Sequence, residues 1–159
     1  MAAAPSIGTQ IHTTWERLSG KPLGKWLFSQ GIGRMAPYTG TIGALVEELR
    51  PGFARVTLKD RKKVRNHLNS VHAIALMNLG EVTTGLAVMC GLPDGARGIL
   101  VGLSMDYQKK ARGLLTAECS CDVPATTDRQ EYEIVGEIKD EAGEIVATAR
   151  ARWLIGPSN

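Results

Sequence analysis

Polar side chains gather in the middle of the chain, at the beginning of a long apolar stretch. Asn66, Asn69, Ser70 and His72 come just before it, and one carboxylate, Glu81, lies inside it. Carboxylates are rarely buried unless they are paired or functional. A carboxylate can serve as a general base or a nucleophile, and the free N–H groups of a helix start can stabilise an oxygen that gains negative charge. The stretch is therefore a candidate catalytic site.

Ordinary structural roles are the alternative for each of these residues. Glu81 could lie on a single exposed stripe of a helix, with Asn78, Thr84 and Gly85 nearby. Asn69 or Ser70 is a good helix N-cap, and the remaining polar residues could be ordinary loop residues.

His72 and Glu81 are nine residues apart. At ~100° and ~1.5 Å per residue, they would lie on opposite sides of a helix and roughly 13 Å apart along its axis. One chain cannot easily bring both to one substrate. If both serve one site, we expect the helix start of one subunit to meet the carboxylate of another, so that a two-fold dimer makes two composite sites.

The apolar stretch itself predicts one long helix from Val71 to about Met89. It contains no proline, is rich in Ala, Leu and Met, and is apolar on nearly every side, which is typical of a helix buried on most of its faces. Another element must therefore wrap around it.

Alternating patterns predict the strands that do so. Thr41–Leu49 and Phe53–Lys59 flank Pro51-Gly52 and predict a hairpin. The small residues of the last strand indicate close approach of the buried helix. The residues expected to share one face of each later strand are Ile99, Val101, Leu103, Met105 and Tyr107; Leu115, Ala117, Cys119 and Cys121; Tyr132, Ile134, Gly136 and Ile138; and Ala147, Ala149, Ala151 and Trp153.

Residues 1–40 have a different, helical pattern. Ile11, Trp15 and Leu18 share one helical face, with Gly20 as a stop, and a second short helix is expected from Pro22 to the Gly31–Gly33 break. Such a segment could lie on a membrane surface, but its few charges of mixed sign favour packing against the main domain. We predict an N-terminal helical extension (1–40) followed by one α+β domain (41–156), a curved antiparallel sheet wrapped around one central helix.

Composition narrows the classes of protein further. The chain has 159 residues, 43% hydrophobic and 22% charged, with a formal net charge of +3, which excludes disorder and gives no reason to expect nucleic acid. Three cysteines and three histidines show no zinc-ligand spacing, so we expect reduced cysteines and no metal. No stretch is long and apolar enough to span a membrane, and we expect a cytoplasmic protein.

The spacing of Asn66, His72-Ala73 and Glu81 on a long helix resembles the hotdog-fold thioesterases of the phenylacetate-pathway and 4-hydroxybenzoyl-CoA type, most closely a bacterial branch of that superfamily. The resemblance covers about residues 40–155. In that family an Asn or Gln lies six residues before a His-Gly-Gly, and an Asp or Glu follows nine residues after the His.

The resemblance implies a mechanism and a set of residue roles. The Ala73 N–H would polarise the thioester carbonyl, Asn66 and His72 would position the reactants, and Glu81 of the other subunit would act as base or nucleophile, without a cofactor. The chain departs from the pattern at two points. It has Ala73-Ile74 in place of Gly-Gly, and Gly85 stands where some relatives place a hydroxyl, so that Thr84 or Thr83 is the nearest substitute.

Basic residues flank the predicted element ends. Arg61, Lys63 and Arg65 could hold the phosphates of coenzyme A, or they could form a solvated rim. Our first hypothesis is an acyl-CoA thioesterase that acts as a homodimer or a dimer of dimers. The alternatives are a non-catalytic acyl-CoA-binding or regulatory protein, and a purely structural oligomer.

Overall fold

The antiparallel sheet that the alternating patterns predict is present and has six strands. The computed structural model describes residues 5–158, and in it the strand order is β1-β2-β4-β5-β6-β3. The strands are β1 (Leu45–Arg50), β2 (Phe53–Lys59), β3 (Ala96–Tyr107), β4 (Leu114–Ser120), β5 (Gln130–Lys139) and β6 (Ile145–Pro157).

One helix, α4 (Ala73–Met89), lies against this curved sheet and packs into the core. Eleven of its residues are buried, among them Leu79, Ala87 and Val88, which have no exposed surface. The helix approaches β6 so closely that a Cβ on Gly80 would lie 2.7 Å from the Cβ of Ala149. The predicted α+β architecture and the role of the small residues on β6 are confirmed.

The residue that caps the N-terminus of α4 differs from the two that the sequence suggested. Neither Asn69 nor Ser70 caps the helix; His72 does. The Ser70 hydroxyl instead exchanges two 3.1 Å hydrogen bonds with the backbone of Ala111, and Asn69 has a φ of +53°, so both residues serve the loop that precedes the helix.

The N-terminal helices pack on the main domain, as the charge pattern favoured. They are α1 (Ile7–Leu18), α2 (Gly24–Met35) and the single turn α3 (Pro37–Gly40). The rings of Trp15 in α1 and Phe28 in α2 meet edge to face at 5.0 Å. The predicted break at Gly31–Gly33 is wrong, because α2 continues through both glycines. Gly33 is needed there for close approach, since its Cβ would lie 3.0 Å from the Cα of Gly40 in α3.

Strand β3 also differs from the predicted alternation. The pairing of β3 with β6 shifts between Leu100 and Gly102, which is the mark of a β-bulge. Ile99 and Val101 therefore remain exposed, whereas Leu103 and Met105 pack against the core. Among residues 5–158, no strand pairs with the other side of β3, so this edge of the sheet is open. None of the helices in that range is long and apolar enough to cross a membrane.

Candidate functional site

The start of α4 presents a free backbone donor. The Nδ1 atom of His72 accepts a 3.0 Å hydrogen bond from the N–H of Ile74, so His72 caps the helix with its side chain. The N–H of Ala73 has no acceptor within residues 5–158. Because the helix dipole concentrates positive potential at this end, the Ala73 N–H is suited to a negatively charged oxygen.

Asn66 is held beside this helix start by a tight loop. Its Oδ1 atom accepts hydrogen bonds from the N–H groups of Leu68 (2.9 Å) and Ser70 (3.3 Å), and its own N–H donates to the carbonyl of Ser70 at 2.8 Å. The side-chain oxygen is therefore engaged in the loop. The Nδ2 group donates to no atom of the described residues, and it remains free to donate to a ligand.

Asn66 and Ala73 line one pocket of about 260 Å³, which we call the helix-start pocket. Tyr107 at the end of β3 forms another wall, and its hydroxyl donates a 3.0 Å hydrogen bond to the carbonyl of Ala73. Lys109 and Lys110 also line the pocket. His72 is adjacent in sequence but lies outside the lining, because its imidazole is turned towards Ile74.

Glu81 lies in a separate and smaller pocket of about 110 Å³, which we call the carboxylate pocket. The side chain is half-buried, and desolvation raises the pKa of its carboxyl group above the usual value of 4.5. No cation of residues 5–158 lies within salt-bridge distance of it. Eight residues of helix separate Glu81 from Ala73, which is about 12 Å along the axis. A single protomer therefore does not bring Glu81 together with Asn66 and Ala73.

The exposed-stripe explanation of Glu81 does not hold. Asn78 is 5% exposed and Thr84 is fully buried. The Thr84 hydroxyl donates to the carbonyl of Gly80 (2.9 Å) and accepts from the indole N–H of Trp153 (3.2 Å). Both polar functions of Thr84 are thus used within the core.

Gly85 lines the carboxylate pocket beside Glu81, as its position one turn later requires. A Cβ at residue 85 would lie 2.9 Å from the Trp153 ring and 3.2 Å from the terminal carbon of Met89. Glycine at this position lets the indole pack against α4. The room that a hydroxyl-bearing side chain would occupy is taken by Trp153.

The three basic residues expected to bind coenzyme A differ in the partners that their side chains have. Arg65 pairs with the carboxylate of Asp60 at 2.6 Å, and this contact is the main reason that the pKa of Asp60 is lowered. Arg61 donates to the carbonyl of Ile42. Lys63 is exposed and forms no ion pair in the part of the chain that the structure covers. Of the three residues, only Arg65 has its charge paired with an acidic side chain within residues 5–158.

Asn78 was not singled out from the sequence as a functional residue. Its Nδ2 donates to the carbonyl of Tyr38 at 3.2 Å, and its buried Oδ1 has no hydrogen-bond partner in residues 5–158. The side chain lines a pocket of about 180 Å³ that also contains Lys63 and Thr41. A buried acceptor without a donor costs free energy, so Oδ1 is ready to accept from a water or a ligand. The run of apolar neighbours in α4 gave no sign of this.

A cavity of about 510 Å³ was also not anticipated. It lies between α2, α3, β1 and β2, and we call it the α2–α3 cavity. It shares three lining residues with the carboxylate pocket, Ile32, Thr39 and Val82. The cluster Gly33, Gly40 and Gly43 around Pro37 is the sequence feature that accompanies it, but glycines alone do not distinguish a cavity from a turn.

Comparison with known proteins assigns the chain. The family model described as "Domain of unknown function (DUF4442)" matches residues 24–155, which include α2, α3, all six strands to Ile155, and α4. The chain belongs to the DUF4442 family. Asn66, Ala73 and Glu81 all lie inside the DUF4442 match, whereas α1 precedes it. No curated protein matches the chain.

Solved structures share the architecture of this DUF4442 chain. A structural genomics crystal structure is 29% identical, covers 96% of this chain and 100% of its own, and superposes with a TM-score of 0.80. A phenylacetic acid degradation-related protein from Ralstonia eutropha is 23% identical over 74% of this chain and 89% of its own, with a TM-score of 0.63. A thioesterase from Haemophilus influenzae is 14% identical over 80% and 90%, with a TM-score of 0.67. The last two similarities establish the fold alone, and the hotdog fold expected from the sequence is confirmed.

Proposed function

We propose that the protein hydrolyses acyl-CoA thioesters to a carboxylic acid and free coenzyme A, in composite sites shared by two subunits. One observation carries the proposal. The helix-start pocket holds Asn66 and a free N–H of Ala73, and the only carboxylate expected to react, Glu81, lies half-buried and unpaired in a different pocket of the same protomer. Two protomers related by a two-fold axis can supply the two halves to each other.

Each residue then has one chemical task. The Ala73 N–H, at the positive end of α4, stabilises the oxyanion that forms when the thioester carbonyl is attacked. The Nδ2 of Asn66 donates to the thioester or to the attacking water. In one route, Glu81 of the other protomer removes the proton from that water, the water oxygen attacks the carbonyl carbon, and the departing thiolate of coenzyme A takes up the proton. In the other route, the Glu81 carboxylate attacks the carbonyl carbon itself and expels the thiolate. A water then hydrolyses the resulting mixed anhydride, which releases the carboxylic acid, restores the Glu81 carboxylate and supplies the proton that the thiolate takes up. No step calls for a metal or a cofactor.

The open edge of β3 supports assembly of the two protomers. Ile99 and Val101 are 47% and 42% exposed on this strand, and Tyr107 at its end already contacts the helix start. An unpaired, partly apolar edge strand is a template for a strand of another chain. A second copy paired along β3 would approach the helix-start pocket from the side on which Tyr107 lies.

Complementation between two defective variants tests the composite site. Glu81→Gln and Asn66→Ala are produced separately and by co-expression. Random pairing makes half of the dimers mixed, and each mixed dimer has one intact site of two, so the co-expressed sample should recover about a quarter of wild-type activity. A site contained in one subunit would give no recovery. A wild-type protein that sediments as a monomer would also refute the proposal.

A non-catalytic acyl-CoA-binding protein is the second candidate. Side chains at Ala73 and Ile74 stand where the related thioesterases have glycines, and Ile74 is 53% exposed beside the helix start. Such a protein would bind acyl-CoA without turnover, so there would be no hydrolysis for Glu81→Gln to abolish. A purely structural oligomer would bind no acyl-CoA at all.

A further inference from the structure

We propose that the α2–α3 cavity holds the acyl group of the substrate, and that the preferred substrates carry an aliphatic chain of medium length. This inference rests on the proposed thioester hydrolysis. It adds the class of the acyl group and assigns a binding role to α2 and α3, which precede the sheet.

The size and lining of the cavity fit such a chain. Small-molecule sites measure roughly 300–1,000 Å³ and are lined mainly by apolar side chains, and this cavity has about 510 Å³. Its apolar walls come from Ile32, Val46, Val56 and Val82, and none of its lining residues is aromatic. Flexible aliphatic walls without an aromatic ring offer a saturated chain good contact and offer an aromatic acyl group no stacking partner.

The buried polar side chain in the wall, Ser29, is satisfied by the protein itself. Ser29 is buried, donates to the carbonyl of Lys25 at 2.8 Å and accepts from the N–H of Val46 at 2.9 Å. The other charged or amide side chains of the lining, Gln30 and Arg34, belong to α2; Gln30 is half-buried and Arg34 is exposed. An apolar chain can therefore occupy the part of the cavity around Ser29 without leaving its hydroxyl unpaired.

The cavity is connected by its lining to the reacting end of the substrate. Val82 follows Glu81 directly in α4, and Val82, Ile32 and Thr39 line both the cavity and the carboxylate pocket. A thioester carbonyl placed at Glu81 would have its chain pass between Val82 on α4 and Thr39 on α3. We call this passage the neck. The width of the neck should then determine which acyl groups reach the cavity and are hydrolysed.

Narrowing the neck from either side tests the inference. The measurement is kcat/KM for straight-chain acyl-CoAs from acetyl to palmitoyl and for benzoyl-CoA, with the wild type, Val82→Phe and Thr39→Phe. We expect the wild type to prefer medium chains over both acetyl and benzoyl. In each variant, the ratio of the medium-chain value to the acetyl value should fall about tenfold or more, which is typical for a misfit in an apolar pocket.

Val135→Phe is the matched control, because Val135 is 38% exposed on β5 and lines none of the cavities described above. Its chain-length profile should equal that of the wild type. Thr39 is half-buried on the single surface turn α3. Thr39→Phe therefore keeps the test available if Val82→Phe fails to fold. Unchanged profiles in a folded neck variant, or a preference of the wild type for acetyl, palmitoyl or benzoyl, would overturn the inference.

Binding separates this inference from the proposed reaction. Non-hydrolysable thioether analogues of the same acyl-CoAs are titrated calorimetrically against the wild type and Thr39→Phe. If the wild type binds medium-chain analogues most tightly and the variant loses that preference, the cavity holds the acyl group even when no thioester is hydrolysed. If hydrolysis is observed but affinity does not depend on chain length, the reaction stands and the acyl site lies elsewhere.

Discussion

The hydroxyl of Tyr107 donates a 3.0 Å hydrogen bond to the carbonyl oxygen of Ala73. Tyr107 is the last residue of β3, the edge strand, and Ala73 is the first residue of α4. The contact therefore fixes the position of the helix start relative to the open edge of the sheet. In the proposed mechanism, Ala73 also presents its N–H to the substrate.

Tyr107→Phe should displace the helix start without removing any group to which the proposed mechanism gives a chemical task. We expect a loss of about 0.5–1.5 kcal/mol in the free energy of unfolding, the usual net contribution of one hydrogen bond, and a fall in kcat. Urea unfolding and steady-state kinetics measure the two effects. Tyr38→Phe is the control, because Tyr38 is 69% exposed and its hydroxyl makes no hydrogen bond within residues 5–158. Equal kcat values for the two variants would contradict this role of Tyr107.

Glu81→Gln should stabilise the fold at neutral pH while it abolishes turnover. Burial raises the pKa of the Glu81 carboxyl, so the folded state binds the proton more tightly than the unfolded state does. Stability from this group is complete below the unfolded pKa and is lost as the pH rises through the folded pKa. The glutamine variant lacks that loss, so its melting temperature should exceed the wild-type value at pH 7 and the difference should shrink in acid. A lower melting temperature at pH 7 would count against the desolvated carboxylate.

The pH dependence of the reaction should reflect the same group. The base or nucleophile must be ionised, so kcat/KM should fall as the pH is lowered through the raised pKa of Glu81, with a midpoint above the usual 4.5. Glu81→Gln should lose this acid limb and at least about a hundredfold in rate. A pH–rate profile between acid and neutral pH, recorded where circular dichroism shows the protein folded, provides the measurement. An identical acid limb in the variant would assign it to another group.

Two substitutions at Asn66 separate the loop from the reaction. Asn66→Ala removes the acceptor for the N–H groups of Leu68 and Ser70, so it should cost about 1 kcal/mol of stability as well as activity. Asn66→Asp keeps an acceptor and replaces the Nδ2 donor with a carboxylate oxygen. If the Nδ2 donor positions the reactants, Asn66→Asp should have the unfolding free energy of the wild type but a turnover rate well below that of the wild type. Wild-type turnover by Asn66→Asp would restrict Asn66 to its loop.

Gly85 should tolerate no side chain. A Cβ there meets the Trp153 ring at 2.9 Å, so Gly85→Ala should destabilise the protein by about 1–3 kcal/mol through overpacking. The matched control is Gly31→Ala in α2, where a Cβ would have no neighbour within 4 Å. That change should stabilise by about 0.5–1 kcal/mol, because alanine loses less backbone entropy in a helix. Chemical denaturation of both variants tests the pair, and equal shifts would contradict the packing argument.

Local pattern was sufficient for most of the secondary structure. The alternation of Leu115, Ala117 and Cys119 on β4 and of Ala147, Ala149 and Ala151 on β6 correctly identified their buried faces, because a strand repeats every two residues. The long apolar stretch likewise predicted α4 to within two residues at its start. Local pattern failed at two places. It predicted a helix break at Gly31–Gly33, where α2 continues and Gly33 contacts α3. It also predicted the wrong exposed face of β3 near Leu100–Gly102, where a bulge shifts the register.

The sequence by itself was enough to propose which residues react. Asn66, Ala73 and Glu81 were chosen from their types and spacing and from the resemblance to hotdog-fold thioesterases, and the helical rise alone separated Glu81 from the helix start. Only the tertiary structure decided that the Asn66 oxygen is used in its loop, that Trp153 occupies the space beside Gly85, and that α2 and α3 line a cavity which shares lining residues with the pocket of Glu81. These features depend on contacts between segments far apart in the chain, and neither propensity nor periodicity encodes the distance between two such segments.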